Sequence, residues 1–590
     1  MENLLDKTKF LGLFTRQPVT KNRPDTAAVA LNVKITGEGV EPVKGYTFFG
    51  KTKDLTARQK ISDAFTFILQ SGEEIPMRIL NDTSNNIVQW YDATNDDWYD
   101  LLAITVDTTV SFQDYNASTE NAIYFGNGVD NHTKWSGNKT RLTAAITATD
   151  TDIPVTSTDG FEATGTITYN GTEIAYTSKT ATTFVVGSAH ASAGADDGVA
   201  EAADDASLAG VALSKILLSA HNRMYLVNES DPNSIEYSKE GDAENWTSGA
   251  NRADAGVEDF PVVGGRINGL AVLRNYIVIF KDRTILMFKW EYPTSTTKVP
   301  AYEHVVIGSN IGSITHKGIA NIYKELFYTT NNGIRSLTQN LVTGQWDADP
   351  LTGPIDASIK LYDFDESASV YDDAEDVYLV ACKSKSTMTH NDRVIAVWFY
   401  IDDTGARRKG FSILDWNVAC WFHYDQKLFF GSSVDGNTYQ AFNSHTRDGT
   451  ALISIYTNNR DDFGKKSLKI SDALMIEGLI APGTEIEYTI FFDGGNTGSQ
   501  VFTIKSTGVY VKKKKINTLG SFKLGEAVLG PEIAGLENLQ QFNITVPLRN
   551  SNFYDLQIQR RSTKLSSNYL IYYEGIIDTS ESYDSPHEEA

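Results

Sequence analysis

The chain predicts an all-β fold: a β-propeller of about seven blades with an inserted small β module and a C-terminal antiparallel β-sandwich. Three observations carry that expectation. The stretches at 123–133 and 428–438, 305 residues apart, read IYFGNGVDNHT and LFFGSSVDGNT and share Phe, Gly, Val, Asp and Thr at matching offsets. Apolar runs of strand type begin at Met224, Ile277, Leu326, Val377 and Leu428, in steps of 53, 49, 51 and 51 residues, the period of propeller blades. Tyr and Phe number 28 each among 590 residues, a usage that favours strands over helical bundles or disorder. A unit of this size buries its flat apolar faces only against its neighbours, so the repeat implies a ring of small antiparallel sheets.

Residues 1–64 read as an N-terminal arm leading into a first strand, with RQP at 16–18 and RPD at 23–25 ahead of an apolar segment at 27–33. The first propeller blades occupy 65–141. Strand-like runs at 65–69, 77–80, 87–91 and 98–102 alternate with polar turns. Ile123 opens the next unit, a tight 36 residues after Ile87. The period then breaks at 142–207, a Thr-, Ala- and Asp-rich excess that reads as an inserted β module. Its strands are expected at 153–155, 165–169, 173–176 and 183–186, with Asn170 and Gly171 forming a type I′ hairpin turn. The return at 191–207, almost wholly Ala, Asp, Gly and Glu, reads as a flexible linker with too little apolar content to pack.

The remaining blades fill 208–455, with hairpins at 276–288 and 326–337. At 456–590 longer runs, at 484–492, 542–546 and 556–559, alternate apolar with polar residues. That pattern gives each strand one buried and one wet face, a C-terminal β-sandwich. An acidic tail at 581–590 follows.

Composition narrows the function. A net charge of −23, from 75 acidic and 52 basic side chains, is wrong for gripping phosphates, which needs clustered Lys and Arg. It suits a surface that DNA passes without adhering, because an acidic wall repels a duplex over about 8 Å at physiological salt. Two cysteines, Cys382 and Cys420, make neither a disulfide framework nor a four-cysteine zinc site and read as buried thiols. The absence of a signal-like start and of long apolar runs leads us to expect a soluble protein folded in the cytoplasm.

No catalytic, cofactor-binding or metal-binding residues are expected, and the binding residues are unknown. Nine histidines are scattered without metal-ligand spacing. Gly264 and Gly265 lack the Lys-Ser/Thr of a phosphate loop and read as a turn. Acidic clusters at 363–366 and 372–376 raise glycosidase chemistry, which needs two carboxylates flanking a sugar. Both are expected in blade-connecting loops as solvated turn residues. Ser433, Asp435 and Gly436 approach a sialidase Asp-box but lack its Gly offset and its Trp. The basic run Lys512, Lys513, Lys514 and Lys515 reads as an edge-protecting or partner-pairing feature rather than a nucleic-acid patch.

The segments NRMYL at 222–226, SKEGDAENW at 238–246, YFGNGVD at 124–130 and DFGK at 462–465 resemble the β-propeller tail proteins of bacteriophages, of the short-tail hub, nozzle or head-stabilisation type. The resemblance spans roughly 65–590, and the module at 142–207 is similar to small β modules embedded in phage tail proteins. It implies a structural virion protein, not an enzyme: a homohexameric ring below the portal and adaptor that extends and closes the DNA channel and supports DNA retention and ejection. The implied partners are other copies of the chain, the adaptor or portal-side proteins, tail fibres or a needle, and DNA crossing the lumen without specific binding. The implied location is the virion tail, assembled in the host cytoplasm without membrane insertion. The competing expectation is a peripheral receptor-binding or glycan-binding or degrading tail protein, with Trp246, Trp290 or Trp416 stacking on sugars.

Overall fold

The computed structural model describes the chain apart from residues 1–2, 8–9, 18–24, 38, 52–59, 82–84, 106–109, 118–119, 170, 188–189, 191, 205–207, 209, 250, 252, 290–310, 340–345, 386–387, 403, 461–468, 496–498, 507–539, 549–551, 554, 565–567 and 581–590. Regular structure among the described residues is β throughout, save single turns of helix at Gly353–Ile355, Asp356–Ile359 and Asp493–Gly495.

Among the described residues, seven antiparallel units follow the predicted repeat. The first has strands Lys60–Ile68, Glu74–Asn81, Asn85–Asp92 and Asp97–Thr105. The second has Ser111–Asn116, Asn121–Gly126 and Thr133–Trp135, and the third begins at Leu217–Ala220 and ends at Gly256–Asp259. The fourth comprises Ile267–Leu273, Tyr276–Lys281 and Ile285–Lys289, and the fifth runs from Ile319–Ile322 to Trp346–Pro350. The sixth runs from Tyr362–Asp372 to Arg407–Leu414. The seventh takes Val418–Tyr424, Lys427–Ser432 and Thr438–Ser444 from one end of the repeat and Gly45–Phe49 from near the other end of the chain. The first strands of these units touch in an unbroken circuit, the seventh against the first, which makes the assembly a wheel.

The apolar runs that mark the period are the second strands. Arg223–Val227, Tyr276–Lys281, Glu325–Thr330, Val377–Ser384 and Lys427–Ser432 are buried along most of their length because each lies between two strands of its own sheet and two neighbouring sheets. Ile87, taken as the mark of the first unit, lies in a third strand; the equivalent second strand is Glu74–Asn81, which restores the ordinary spacing to Ile123. In the third, fourth, fifth and seventh units the turn from first to second strand is a two-residue hairpin that enters the left-handed region: His221 and Asn222 (φ 50° and 60°), Arg274 (58°), Tyr323 (56°), Asp425 and Gln426 (49° and 57°). Both central residues have positive φ at His221-Asn222 and Asp425-Gln426, and the first alone does at Arg274 and Tyr323; either arrangement matches the twist of paired strands.

The inserted module is a closed barrel. Its strands order as Lys139–Arg141, Gly198–Glu201, Gly165–Tyr169, Thr172–Lys179, Thr183–Val186 and Asp152–Pro154. The two outer strands meet where Thr143 N–H donates to Pro154 O (3.0 Å) and Thr156 N–H to Arg141 O (2.9 Å). Closure removes the free edges that invite aggregation. The segment expected as a flexible linker at 191–207 contains a core strand instead: Val199 and Ala200 are buried, in a strand paired on both sides. Four residues suffice for that strand because both neighbours satisfy its backbone, whatever the composition around it. Lys134 and Asp204 then exchange both backbone hydrogen bonds at 2.9 Å, so the returning chain extends the three-stranded second unit.

Residues 1–64 form a seam. Asn3–Lys7 pairs with Tyr569–Ser580, Val33–Ile35 and Val40–Pro42 join the same sheet, and Gly45–Phe49 closes the last blade. Ala27–Leu31 lies between the sixth blade and Ser454–Asn458, making one sheet of nine strands that continues from the wheel into the C-terminal lobe through Leu556–Ser562, Glu485–Phe492 and Ser499–Lys505. The second sheet of that lobe centres on Tyr569–Ser580, Lys469–Ile480 and Gln540–Pro547. A single apolar core, including Val380, Ala396, Ile476, Tyr488 and Ile558, runs through the sixth blade and both sheets. Across the sandwich, Arg560 and Glu574 form a buried bidentate pair, with Arg560 Nε 2.5 Å from Glu574 Oε1 and the guanidinium 5.3 Å from the Tyr456 ring.

Candidate functional site: the propeller axis

First strands carry the side chains that face the axis, so whatever chemistry the wheel can host is written in them. A cavity of about 480 Å³ lies there, lined by residues of all seven units, among them Asp63, Phe112, Leu218, Leu270, Lys317, Ala368 and Trp421. Asp63 of the first blade and Lys317 of the fifth reach each other across the centre, with Nζ 3.3 Å from Oδ2. Lys317 also donates to Ser62 O (2.8 Å), and Ala64 N–H donates to Asp63 Oδ1 (3.0 Å). Burial raises the Asp63 pKa, and the ammonium of Lys317 opposes that rise. The neighbouring His316 accepts the Leu270 N–H at Nδ1 (3.4 Å). Burial, reinforced by Lys317, lowers its pKa to about 4, so the ring is neutral at pH 7 with its proton on Nε2.

Two recesses adjoin the cavity at one mouth. One is lined by Lys60, Asp365, Glu366, His390 and Asn391, the other by Lys215, Glu229, Arg266 and Asn268. Asn391 Nδ2 donates to Glu366 O (2.9 Å), and Lys215 Nζ lies 3.6 Å from Glu229. The acidic cluster at 363–366 is therefore not in a connecting loop, as expected, but inside the first strand of the sixth blade, where the register slips between Asp363 and Ala368. That bulge breaks the alternation by which a strand is recognised. Asp365 is raised chiefly by burial and secondly by the charge of Asp363. At 372–376 a hairpin turn is found, with Asp372 buried and accepting the Glu375 N–H (3.0 Å).

Trp416 is fully buried, stacked 5.8 Å from Phe430, and unavailable to a sugar. Trp246 donates its indole N–H to Ala243 O (2.8 Å) and packs between the second and third blades. Trp290, the run at 512–515, the DFGK segment at 462–465 and the tail at 581–590 lie outside the described residues. Asp435 accepts the Asn437 N–H (3.0 Å) in a hairpin turn, and Gly264 and Gly265 adopt φ of 97° and 87° in the turn that connects the third unit to the fourth. Cys382 and Cys420 are buried thiols, which burial raises, Cys420 to about 12. Among the described residues no three His, Cys, Asp or Glu side chains converge to hold a metal, and no helix is long and apolar enough to cross a membrane.

Sequence reasoning missed Asp63, His316 and Lys317. Their only signal is the presence of ionisable residues in short runs next to blade starts, where a solvent-facing position is the ordinary reading. No protein-family model matches the chain, and no curated protein sequence does. Among solved structures, those of the exo-β-1,3-galactanase from Phanerochaete chrysosporium, with galactose and with β-1,3-galactotriose, align at 10% identity over 61% of this chain and 95% of that chain, with a TM-score of 0.20. A likeness that slight decides nothing about the chemistry of this chain.

Proposed function

We propose that the chain is a structural protein of a bacteriophage tail, a nozzle or hub subunit that assembles into a ring, extends and closes the DNA channel, and acts as scaffold rather than catalyst. The observation that carries the reading is mechanical: one nine-stranded sheet and one apolar core join the sixth blade to the C-terminal lobe, and the N-terminal seam ties both to the last blade. Forces applied to one lobe are thereby passed to the other without a hinge. The resemblance of NRMYL at 222–226 and SKEGDAENW at 238–246 to phage tail propellers supports the same reading.

The axis of one wheel is no DNA path. A cavity of about 480 Å³, crossed by the Asp63–Lys317 pair, cannot admit a duplex whose major groove alone is about 12 Å wide. The DNA channel of this reading therefore lies between copies of the chain, which makes the ring a requirement. Copies at −23 each would then present DNA with a repulsive, non-adhesive wall where their carboxylates face the lumen. Native mass spectrometry of the purified chain, alone and with an adaptor ring, tests this: six-fold assembly is expected. A stable trimer that binds or cleaves host polysaccharide would support the peripheral alternative instead.

A further inference from the structure

The scaffold reading leaves the axial cavity without a task, yet the cavity is built like a ligand site. Its volume of about 480 Å³ falls within the roughly 300–1,000 Å³ of small-molecule sites, and its lining combines apolar walls with a few converging polar groups. The charges at it are compensated within the protein, Asp63 by Lys317 at 3.3 Å and Lys215 by Glu229 at 3.6 Å. An anion would meet the Asp63 carboxylate and a cation the Lys317 ammonium, so neither gains a net attraction.

Hydrogen bonding of both polarities is what the cavity does offer. His316 spends Nδ1 on the Leu270 N–H and so keeps an Nε2–H donor. Lys317 donates, Asp63 accepts, and the Thr315 hydroxyl does either. Phe65, Phe112 and Trp421 supply flat apolar surface beside these groups. A ligand whose every polar group both donates and accepts, set around a ring with an apolar face, satisfies all of them at once.

We propose that the axial cavity binds one neutral saccharide unit, its hydroxyls shared among Asp63, His316, Lys317 and Thr315. The inference is independent of the tail-scaffold reading, since a hub needs no occupant in its axis.

Calorimetric and saturation-transfer NMR titrations of the full chain with the methyl glycosides of glucose, galactose and N-acetylglucosamine test it, with benzoate and phosphate as anionic probes. Saturable binding of at least one glycoside is expected, with a Kd of about 1 mM. Ala271→Phe, which fills the cavity, and Thr315→Val, which removes one hydroxyl at nearly constant volume, are each expected to weaken it by about tenfold or more. Melting curves report whether each variant is folded, and Thr315→Val alone decides the matter where Ala271→Phe does not fold. Three results would overturn the proposal: no glycoside binding up to about 50 mM, tighter binding of benzoate or phosphate than of any glycoside, or unchanged binding in the folded variants.

Discussion

Tyr46 is the side chain on which closure of the wheel turns. It lies in the strand Gly45–Phe49, opposite Ala441, is 8% exposed, and meets Trp416, Phe430 and Tyr439 edge-on at 5.5, 5.0 and 5.0 Å. Tyr46→Ala removes a buried ring, a change of about 3–5 kcal/mol. The three ring contacts, each worth about 0.5–1.5 kcal/mol, are part of that cost and not additive to it. At the roughly 2–4 °C per kcal/mol of a large domain, the melting temperature should fall by about 6 °C or more. Because the strand seals the seam between the chain's start and its last blade, the damage should spread. Hydrogen exchange should quicken in Thr438–Ser444 and in Lys60–Ile68 of the neighbouring first blade as well as in the closing strand. Tyr46→Phe keeps the ring and should melt within about 2 °C of wild type. A Tyr46→Ala protein that melts within about 1 °C of wild type, or whose faster exchange is confined to Gly45–Phe49, would refute the idea that this strand holds the wheel shut.

Glu574→Gln leaves the Arg560 guanidinium buried without its counter-charge and should cost about 3–5 kcal/mol in denaturant unfolding, whereas Arg560→Met with Glu574→Leu should cost far less. Gly431→Ala should destabilise by about 1–3 kcal/mol, measured the same way, because a methyl there overlaps the Ile61 side chain and Cys420 Sγ where the seventh blade meets the first. Burial holds the folded pKa of His316 at about 4, against the ordinary imidazole value of 6.5. The unfolded state therefore binds the extra proton first, and stability falls as pH drops from about 6.5 to 4, by no more than about 3 kcal/mol. Comparing wild type with His316→Phe across that window isolates the effect: the wild-type slope should be the steeper of the two.

The wheel was legible because its units repeat, and its second strands are apolar on both faces wherever they occur, as in Tyr276–Lys281. The hairpins that precede them were not, since His221-Asn222, Arg274-Asn275, Tyr323-Lys324 and Asp425-Gln426 contain no glycine to mark them. The N-terminal seam was hidden for a different reason. Gly45 pairs with Ser444 and Leu31 with Ile413, and nothing local in a five-residue strand encodes a partner so far along the chain. The same distance conceals the axis: Asp63 and Lys317 meet only because blades one and five face each other across the ring. The bulge at Asp363–Ala368 made strand residues look like a loop, and the four-residue strand Gly198–Glu201 vanished into an Ala- and Asp-rich background.

Electron microscopy of intact particles carrying an antibody or gold label on this chain tests the central claim most directly. A ring of copies on the tail axis, below the portal, with the DNA channel running between wheels, is the result expected. Label at the tail periphery, on three-fold fibres or spikes, would contradict it.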